Sequence, residues 1–377
     1  HLYSGRGFSA EGKAGTWVSD AKSQSGSTLK KMAADENAVL IFGSSELRHG
    51  QGGGFHGDTI FDGADMAPIY VGKAGYQSLT HAITLGAVGS QAANKKAVLI
   101  VSPQWFKENG VKSTAFEAAF SEEEYIALLE NPDISQETKD YINGRLQNIM
   151  ADNETMSERV KKAREWYQPK DDNTAEQPGW LEQKKADFHK VLLEEKNNYK
   201  VMAEALMDGI SNHRSKESGA KLSQATWEQL RKEAETEGHK LSDGNDYGMF
   251  DSVYKGTYQT LIANGKHKNP KYTLDSMEFS DLECFLSICR EEGIEPLVVI
   301  LPFNGYWYDY TELTAEERST FYEKIRCIAE DYGVQCADLS GNEYTEYYFE
   351  DNSHPALKGL VDLNEAIYEF YRKDKTE

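Results

Sequence analysis

The chain has 377 residues, of which 39% are hydrophobic, and its formal net charge at pH 7 is −21. That length can bury a sizeable core, and the apolar fraction is typical of a globular rather than a disordered protein. The negative charge repels nucleic acid and anionic lipid head groups, which argues against direct nucleic-acid binding. It is compatible with a protein of the medium or cell wall, or with one that has a cationic partner.

The sequence contains no apolar run of 18 residues, so it predicts no membrane span, and it shows no signal peptide. The chain begins at His1 rather than Met, so we expect that a native N-terminal segment has been removed. The first 35 residues are rich in Gly, Ser and Lys. We predict an irregular arm at 1–35, followed by one large domain at 36–377.

Five short apolar runs predict β-strands, and amphipathic helical patterns separate most of them. This alternation predicts an α/β fold, with a parallel sheet of about five strands and helices on both faces. In such sheets the functional site lies outside the carboxyl ends of the strands. The predicted strands are 38–42, 69–71, 97–101, 296–301 and 334–339, and the predicted helices beside them are 78–93, 275–292, 315–332 and 356–371.

Residues 107–270 show no clear strand pattern and are rich in Glu, Lys, Ala and Gln. We predict that they form a helical insertion between the third and fourth strands, at the edge that carries the functional site. Long insertions at that edge often shape substrate access. The helical patterns within it are 122–129, 136–151, 155–166, 181–210 and 224–235.

The four cysteines do not form a disulfide framework, and none lies in a CxxC pair, which argues against structural zinc. Cys284 and Cys289 share one predicted helix, whereas Cys327 lies on another and Cys336 on the strand after it. Two interpretations stay open. Either all four are buried free thiols, or one disulfide joins Cys327 to Cys336.

Two motifs together predict a serine nucleophile. Gly-Ser-Ser at 43–45 directly follows the first apolar strand, and Asp-Asn-Ser-His at 351–354 precedes the C-terminal helix. A serine needs a base at neutral pH, and the base needs an orienting carboxylate. We therefore predict Ser45 as nucleophile, His354 as general base and Asp351 as the carboxylate that orients His354.

The Asp-x-x-His motif also has a purely structural interpretation. Asp351 or Ser353 could cap the last helix, with Pro355 in its first turn. The two interpretations are compatible, because one short turn can hold a carboxylate against an imidazole and lead into a helix.

A tetrahedral intermediate needs preorganised N–H groups directed at its developing negative charge. We predict three donors for this oxyanion hole: the backbone N–H of Ser45, the backbone N–H of Gly75 and the side-chain amide of Gln104. The alternative for Gly75 is an ordinary strand-to-helix turn. The alternative for Gln104 is a loop amide that caps backbone groups.

Other polar residues near these motifs have more than one interpretation. Glu46 could bind an ammonium group or form a surface pair with Arg48. A metal cluster of His49, His56 and Asp58 is conceivable, but it has no regular spacing, so we predict no metal site.

Several aromatic residues follow predicted strands on the same side of the sheet. Half-buried packing is one interpretation, and the lining of a substrate groove is the other. We predict Trp105, Tyr306 and Trp307 as groove residues. The full aromatic set is Trp105, Phe303, Tyr306, Trp307 and Tyr308.

Five sequence blocks, in order across nearly the whole chain, resemble the DltD family of D-alanyl transfer proteins of Gram-positive bacteria. The resemblance implies an SGNH-hydrolase-like fold and an N-terminal membrane anchor, with the catalytic part at the extracellular face of the cytoplasmic membrane. It also implies a role in the D-alanylation of lipoteichoic and wall teichoic acids. The blocks are GSSEL (43–47), GYQSLTH (75–81), SPQWF (102–106), LPFNGYWYDY (301–310) and the Asp-x-x-His motif at 351–354.

The resemblance also carries over to single positions. The SGNH pattern places the nucleophile third in its Gly-x-Ser block, hence at Ser45, and a glycine donor at Gly75. It expects Asn in the third block, where this chain has Gln104, an amide one methylene longer. The implied partners are a D-alanyl carrier protein or a membrane D-alanyl intermediate as donor, and teichoic acid as acceptor, with no cofactor.

The sequence leaves three functions open. The first is acyl transfer to teichoic acid through a D-alanyl-serine intermediate. The second is a secreted SGNH esterase or thioesterase that acts on carbohydrate or lipid esters. The third is a non-catalytic scaffold for a D-alanyl carrier protein, which would not need Ser45.

Overall fold

The computed structural model describes residues 8–168, 179–210, 219–265 and 271–373. Within these residues, five strands form a parallel sheet in the order β2-β1-β3-β4-β5. The predicted α/β fold with a five-stranded parallel sheet is confirmed. The strands are β1 (Ala38–Phe42), β2 (Ala67–Val71), β3 (Lys96–Val101), β4 (Glu295–Ile300) and β5 (Gln335–Asp338).

The strand order reverses at β1. Leu40 of β1 is opposite Ile69 of β2 on one side and opposite Ala97 of β3 on the other. Every residue of β1, β2 and β3 is buried, which is typical of parallel strands covered on both faces. The crevice beyond the carboxyl ends of the strands at such a reversal is the usual ligand site of open α/β sheets.

The N-terminal segment is more regular than predicted. The described part of 1–35 contains three short helices, and Leu29 and Met32 in the third are fully buried. Ser19 and Ser25 cap two of these helices, so serines that suggested an irregular arm in fact begin helices. Residues 1–7 lie outside the described residues. The first five helices are α1 (Lys13–Thr16), α2 (Asp20–Ser23), α3 (Gly26–Ala33), α4 (Gly57–Ile60) and α5 (Ser78–Val88).

The long segment between β3 and β4 is helical. No strand occurs in the described parts of 107–270, whereas 169–178, 211–218 and 266–270 lie outside them. In the part of the chain that the structure describes, no helix is both long and apolar enough to cross a bilayer. The helices are α6 (Ser113–Ala119), α7 (Glu122–Glu130), α8 (Gln136–Ile149), α9 (Glu154–Tyr167), α10 (Trp180–Met207), α11 (Gln224–Ser242), α12 (Asp251–Val253) and α13 (Gln259–Ala263), with a π-helix at Tyr254–Tyr258.

Two helical layers cover the sheet. Leu40 and Phe42 of β1 belong to a core cluster with residues of α3 and α5, whereas Val39 and Ile41 belong to a second cluster with residues of the C-terminal helix. Burying one such side chain contributes about 1.5–3 kcal/mol, so the alternating side chains of the strands hold both layers in place. The last helices are α14 (Met277–Glu292), α15 (Gly305–Tyr310), α16 (Ala315–Asp331) and α17 (Leu357–Arg372).

The four cysteines are all free thiols. Cys284 and Cys289 are buried in α14, as expected for thiols used as small apolar side chains. Cys327 and Cys336 are exposed and not bridged, so the alternative of a disulfide between them is not realised. The buried-thiol interpretation is also wrong for these two. Cys327 is exposed on α16, and Cys336 lies on the edge strand β5, where half-buried and exposed positions alternate.

Candidate active site

The turn after β1 presents Ser45 at the carboxyl edge of the sheet. The backbone N–H of Gly43 donates to the carbonyl of Val71 at 3.1 Å, and Ser45 then begins a single 3-10 turn, Ser45–Leu47. Gly72 has a φ of 126°, and a Cβ there would lie 1.9 Å from the carbonyl oxygen of Gly43. Position 72 therefore requires glycine, because only glycine lets the two turns approach this closely.

Ser45, His354 and Asp351 form a continuous hydrogen-bonded series, called here the candidate triad. Oγ of Ser45 lies 2.7 Å from Nε2 of His354, and Nδ1 of His354 lies 2.7 Å from Oδ2 of Asp351. A carboxylate only accepts, so Nδ1 carries a proton, and Nε2 of the neutral imidazole accepts from the serine hydroxyl. The structure thus brings together the three predicted residues in the order that base-assisted attack by a serine requires.

The carboxylate and the imidazole of the triad stabilise each other's charged forms. Burial by itself raises the pKa of Asp351, but hydrogen bonds from His354 and from the backbone of Ser353 bring the pKa below its ordinary value. Burial lowers the pKa of His354, but the hydrogen bond and charge of Asp351, with the charges of Glu46 and Glu350, raise it overall. His354 is therefore a stronger base than an ordinary histidine.

The backbone around Asp351 explains the Asp-x-x-His spacing. Oδ1 of Asp351 accepts the backbone N–H groups of Ser353 and His354, both at 2.8 Å, while Oδ2 accepts from the imidazole. One turn therefore holds the carboxylate against His354, as predicted. The capping interpretation is wrong, because the N-cap residue of α17 is Ala356 and no side chain caps that helix.

The loop 350–354 is also fixed from the helical segment, which the sequence did not predict. Nδ2 of Asn304 donates to the carbonyl of Tyr247 at 2.9 Å and to that of Asp351 at 3.2 Å. The hydroxyl of Tyr258 donates to Oδ1 of Asn352 at 2.8 Å. The position of Asn304 shortly after the fourth strand was a sequence signal that pointed to this edge of the sheet.

Glu46 supports the nucleophile turn from the inside. Its side chain is buried, and Oε1 accepts the backbone N–H of Ser44 at 2.5 Å, while Oε2 has no hydrogen-bond partner among the described residues. Burial raises the pKa of Glu46, although the hydrogen bond from Ser44 and the charge of His354 oppose the shift. Glu46 forms no surface pair with Arg48, and its enclosed carboxylate presents no open site for an ammonium group.

The structure shows the surroundings of two of the three predicted oxyanion donors, Gly75 and Gln104. Gly75, with a φ of 94°, donates its backbone N–H to Oγ of Ser44 at 3.2 Å, so this donor faces the nucleophile turn but already has an acceptor. Gln104 is half-buried in the single turn Pro103–Trp105. Its side-chain amide makes no hydrogen bond to any residue that the structure describes, so it remains available to a ligand.

The predicted groove residues differ in exposure. Trp105 and Trp307 are buried, with 3% and 5% of their surface exposed, whereas Tyr306 is 39% exposed. The ring of Trp307 packs edge-on against Tyr258, with centroids 4.6 Å apart, and Trp105 lies beside His81. In this structure only Tyr306 of the three offers substantial surface to a substrate, so the packing interpretation describes the two tryptophans better.

His49 lies beside the triad rather than in a metal cluster. Its Nδ1 is 2.9 Å from Oε2 of Glu350, and its ring stacks on that of His354. His56 is buried, and its Nδ1 lies 2.8 Å from Oδ1 of Asp58. Across the described residues, no three metal-binding side chains gather at one point. The conceivable cluster is therefore not formed, and no pattern in the sequence indicated that His49 stacks on His354.

A serine–histidine–aspartate series at the carboxyl edge of a five-stranded parallel sheet is the arrangement of SGNH-hydrolase-like α/β proteins. A sequence model of one family, described as "DltD protein", matches residues 15–372. The chain therefore belongs to the DltD family, and the resemblance seen in the sequence blocks is confirmed.

Curated relatives agree with this family. "Protein DltD" of Bacillus subtilis (strain 168) is 32% identical over 349 residues, which cover 92% of this chain and 85% of that protein. The protein of the same name from Staphylococcus aureus (strain NCTC 8325 / PS 47) is 26% identical over 336 residues, which cover 87% of this chain and 79% of that protein. That of Lacticaseibacillus rhamnosus is 25% identical over 374 residues, 93% and 81% respectively.

Proposed function

We propose that the protein is an acyl transferase that acts through Ser45, His354 and Asp351 in the D-alanylation of lipoteichoic and wall teichoic acids. The observation that carries the proposal is the continuous hydrogen bonding from Ser45 through His354 to Asp351. Membership of the DltD family supports the D-alanylation role. The reaction would take place at the extracellular face of the cytoplasmic membrane of a Gram-positive bacterium, where an N-terminal anchor would hold the protein.

The first half-reaction forms an acyl-enzyme. Nε2 of His354 takes the proton of the Ser45 hydroxyl while Oγ attacks the carbonyl carbon of a D-alanyl ester or thioester. The carbonyl π electrons move to oxygen, and Asp351 stabilises the imidazolium that forms. When the tetrahedral intermediate collapses, His354 returns the proton to the leaving alcohol or thiol, and D-alanyl-Ser45 remains.

In the second half-reaction Ser45 is the leaving group, and a hydroxyl of the acceptor is the nucleophile. His354 takes the proton of a polyol-phosphate hydroxyl, whose oxygen attacks the D-alanyl carbonyl carbon. The bond from Ser45 to the acyl group breaks, and Oγ of Ser45 regains its proton from His354. The D-alanyl ester of the acceptor leaves, and every step is completed without a metal ion or a cofactor.

Three donors would stabilise the oxyanion in both half-reactions. The backbone N–H of Ser45 belongs to the same residue as the attacking Oγ. The side-chain amide of Gln104 has no competing hydrogen-bond acceptor among the described residues. The backbone N–H of Gly75 would exchange Oγ of Ser44, 3.2 Å away, for the substrate oxygen. Removal of one such donor typically costs about 10²–10³ in turnover.

The proposed partners rest on membership of the DltD family. The acyl donor would be a D-alanyl carrier protein or a membrane D-alanyl intermediate, and the acceptor would be teichoic acid. The D-alanyl ester carries an ammonium group, and the formal charge of this chain is −21. Such a surface attracts a cationic product more than it attracts the bare polyanionic polymer.

Two alternatives differ in what they require of the triad. An esterase or thioesterase for carbohydrate or lipid esters would use the same residues, with water as acceptor. The side chains of His354 and Asp351 are 14% and 17% exposed, so water can reach them. A non-catalytic scaffold for a D-alanyl carrier protein does not need a hydroxyl hydrogen-bonded to an imidazole, so the Ser45–His354 contact favours catalysis.

The proposal is tested by mass spectrometry after incubation with a D-alanyl thioester, followed by peptide mapping. We expect an alanyl adduct on Ser45 that is absent in Ser45→Ala and retained in the matched control Ser44→Ala. Addition of a polyol-phosphate acceptor should then move the alanyl group to the acceptor. An adduct on Ser44, or no adduct, would contradict the mechanism, and loss of the alanyl group to water alone would favour the esterase.

A further inference from the structure

The imidazole of His354 has a contact that the candidate triad does not use. The ring of His49 lies parallel to it, with centroids 3.7 Å apart and an interplanar angle of 11°. In the plane of the His354 ring, Ser45 and Asp351 occupy the two nitrogen positions. His49 therefore covers one face of the His354 ring. The two hydrogen bonds lie in the plane of that ring, so they give little restraint on movement out of the plane.

Glu350 holds His49 in this position. Oε2 of Glu350 lies 2.9 Å from Nδ1 of His49. The backbone N–H of Glu350 donates to the carbonyl of His354 at 3.0 Å, and its own carbonyl accepts from the backbone of Phe250 at 3.1 Å. Glu350 and His354 thus belong to one tight loop. Glu350, which anchors the ring of His49, therefore moves together with His354, which the ring of His49 covers.

A stacked ring supplies a restraint that hydrogen bonds do not. Two hydrogen bonds fix where the nitrogens of His354 point, but they allow the ring to tilt about the line that joins them. Tilting away from a parallel ring loses dispersion contacts over the whole ring face. Proton transfer from Ser45 depends on this alignment, and a misplacement of about 1 Å in an active site can cost about 10²-fold in rate.

We propose that His49 is a positioning residue that keeps the imidazole plane of His354 aligned with Oγ of Ser45, and that Glu350 anchors His49. The inference rests on the proposed roles of Ser45 and His354. This positioning role requires only a flat ring at position 49. It does not require proton transfer by His49, because the face of the ring contacts His354 and its Nδ1 is directed to Glu350.

The test compares His49→Phe, His49→Leu and His49→Ala in the full chain. Phenylalanine keeps a flat ring, leucine keeps much of the volume without a ring, and alanine removes both. We expect the rate constant for labelling of Ser45 by a fluorophosphonate to fall about 10- to 100-fold in the leucine and alanine variants. The phenylalanine variant should fall less than about threefold, and His239→Ala, which removes an exposed histidine of α11, should react like the parent.

Two outcomes would overturn the role of the ring face. Labelling of His49→Ala at the parental rate would show that His49 is not needed, and a phenylalanine variant as slow as the alanine variant would show that the face of the ring is not what matters. At the anchor, Glu350→Gln keeps an oxygen acceptor for Nδ1 of His49 and should stay near the parental rate. Glu350→Ala should approach the rate of His49→Ala.

A second measurement does not depend on catalysis. The NMR signal of the Nδ1 proton of His354 reports how firmly the ring is held against Asp351. We expect a sharp downfield signal in the parent and in His49→Phe, and a broadened one in His49→Leu and His49→Ala; the same signal in all four would refute the proposal. If the parent fails to react with the fluorophosphonate, the proposed function fails, while this comparison still decides the role of His49.

Discussion

Tyr258 donates its hydroxyl to Oδ1 of Asn352 at 2.8 Å, across 94 residues of sequence. Asn352 lies between Asp351 and His354 in the chain, and its Nδ2 donates to the hydroxyl of Tyr308 at 3.1 Å. The π-helix Tyr254–Tyr258 therefore contacts the loop that carries two members of the triad. The helical segment between β3 and β4 thus supports the candidate active site directly.

Removing this contact should weaken both the fold and the site. We expect Tyr258→Phe to lower the free energy of unfolding by about 0.5–1.5 kcal/mol, the usual net contribution of one hydrogen bond, and to slow fluorophosphonate labelling of Ser45. Tyr254→Phe, in the same π-helix, keeps its ring stacked on Tyr247 and should change neither quantity. Denaturant unfolding and labelling rates measure both effects. Equal behaviour of the two variants would mean that the contact carries no energy.

The carboxylate of Asp351 should be essential to turnover. Asp351→Asn removes the acceptor that fixes the Nδ1 proton of His354, and the corresponding change in a serine protease triad lowers kcat by about 10⁴. Turnover of an activated ester measures the effect, with Asp275→Asn, an exposed position, as the control. Activity that survives in Asp351→Asn but disappears with a chelator would show that the aspartate does not act on His354.

The pH dependence of labelling should report the pKa of His354. The imidazole must be neutral to accept the proton of Ser45, so the rate falls as the pH falls through this pKa. The effect of Asp351 outweighs that of burial and raises the pKa, so we expect the midpoint of the acid limb above the ordinary value of 6.5. In Asp351→Asn the midpoint should move to lower pH. A midpoint that is the same in both proteins would assign the limb to another group.

The close approach of the two turns should make position 72 intolerant of any side chain. Gly72→Ala places a Cβ 1.9 Å from the carbonyl oxygen of Gly43, and we expect it to lower the free energy of unfolding by about 3 kcal/mol or more. Gly52 also has a positive φ, 77°, but a Cβ there meets no atom within 4 Å. Gly52→Ala should therefore cost about 1–2 kcal/mol, the cost of a left-handed backbone for a residue with a Cβ. Denaturant unfolding of both variants separates the clash from the backbone conformation.

The buried and exposed aromatics near the triad should behave differently. Trp307→Ala empties a packed position against Tyr258, so we expect a loss of about 3–5 kcal/mol in stability and a parallel fall in transfer and hydrolysis. Tyr306→Ala changes an exposed surface and should lower transfer to a polyol acceptor more than hydrolysis of a small ester. The transfer-to-hydrolysis ratio checks both. A changed ratio in Trp307→Ala alone would restore the tryptophan as a groove residue.

Local patterns in the sequence were enough to predict the framework. The apolar runs at 38–42 and 97–101 match β1 and overlap β3 closely, because a strand buried on both faces must be apolar at every position. The spacing of Asp351 and His354 predicted their contact, because four consecutive residues can close a turn without help from the rest of the chain. The prediction of a parallel sheet placed Ser45 at the carboxyl edge of the sheet, because it comes directly after β1.

The two motifs predicted that Ser45 and His354 act together, but the geometry of contacts between distant segments was decided by the tertiary structure. Ser45 and His354 are 309 positions apart, and the stacking of His49 on His354 depends on how two separate loops meet. From the sequence alone, both tryptophans had the same interpretation as Tyr306, and only packing against other elements buries Trp105 and Trp307. Composition and periodicity record what a segment prefers by itself, whereas burial, hydrogen-bond partners and pKa values arise when segments that are far apart in the chain come together.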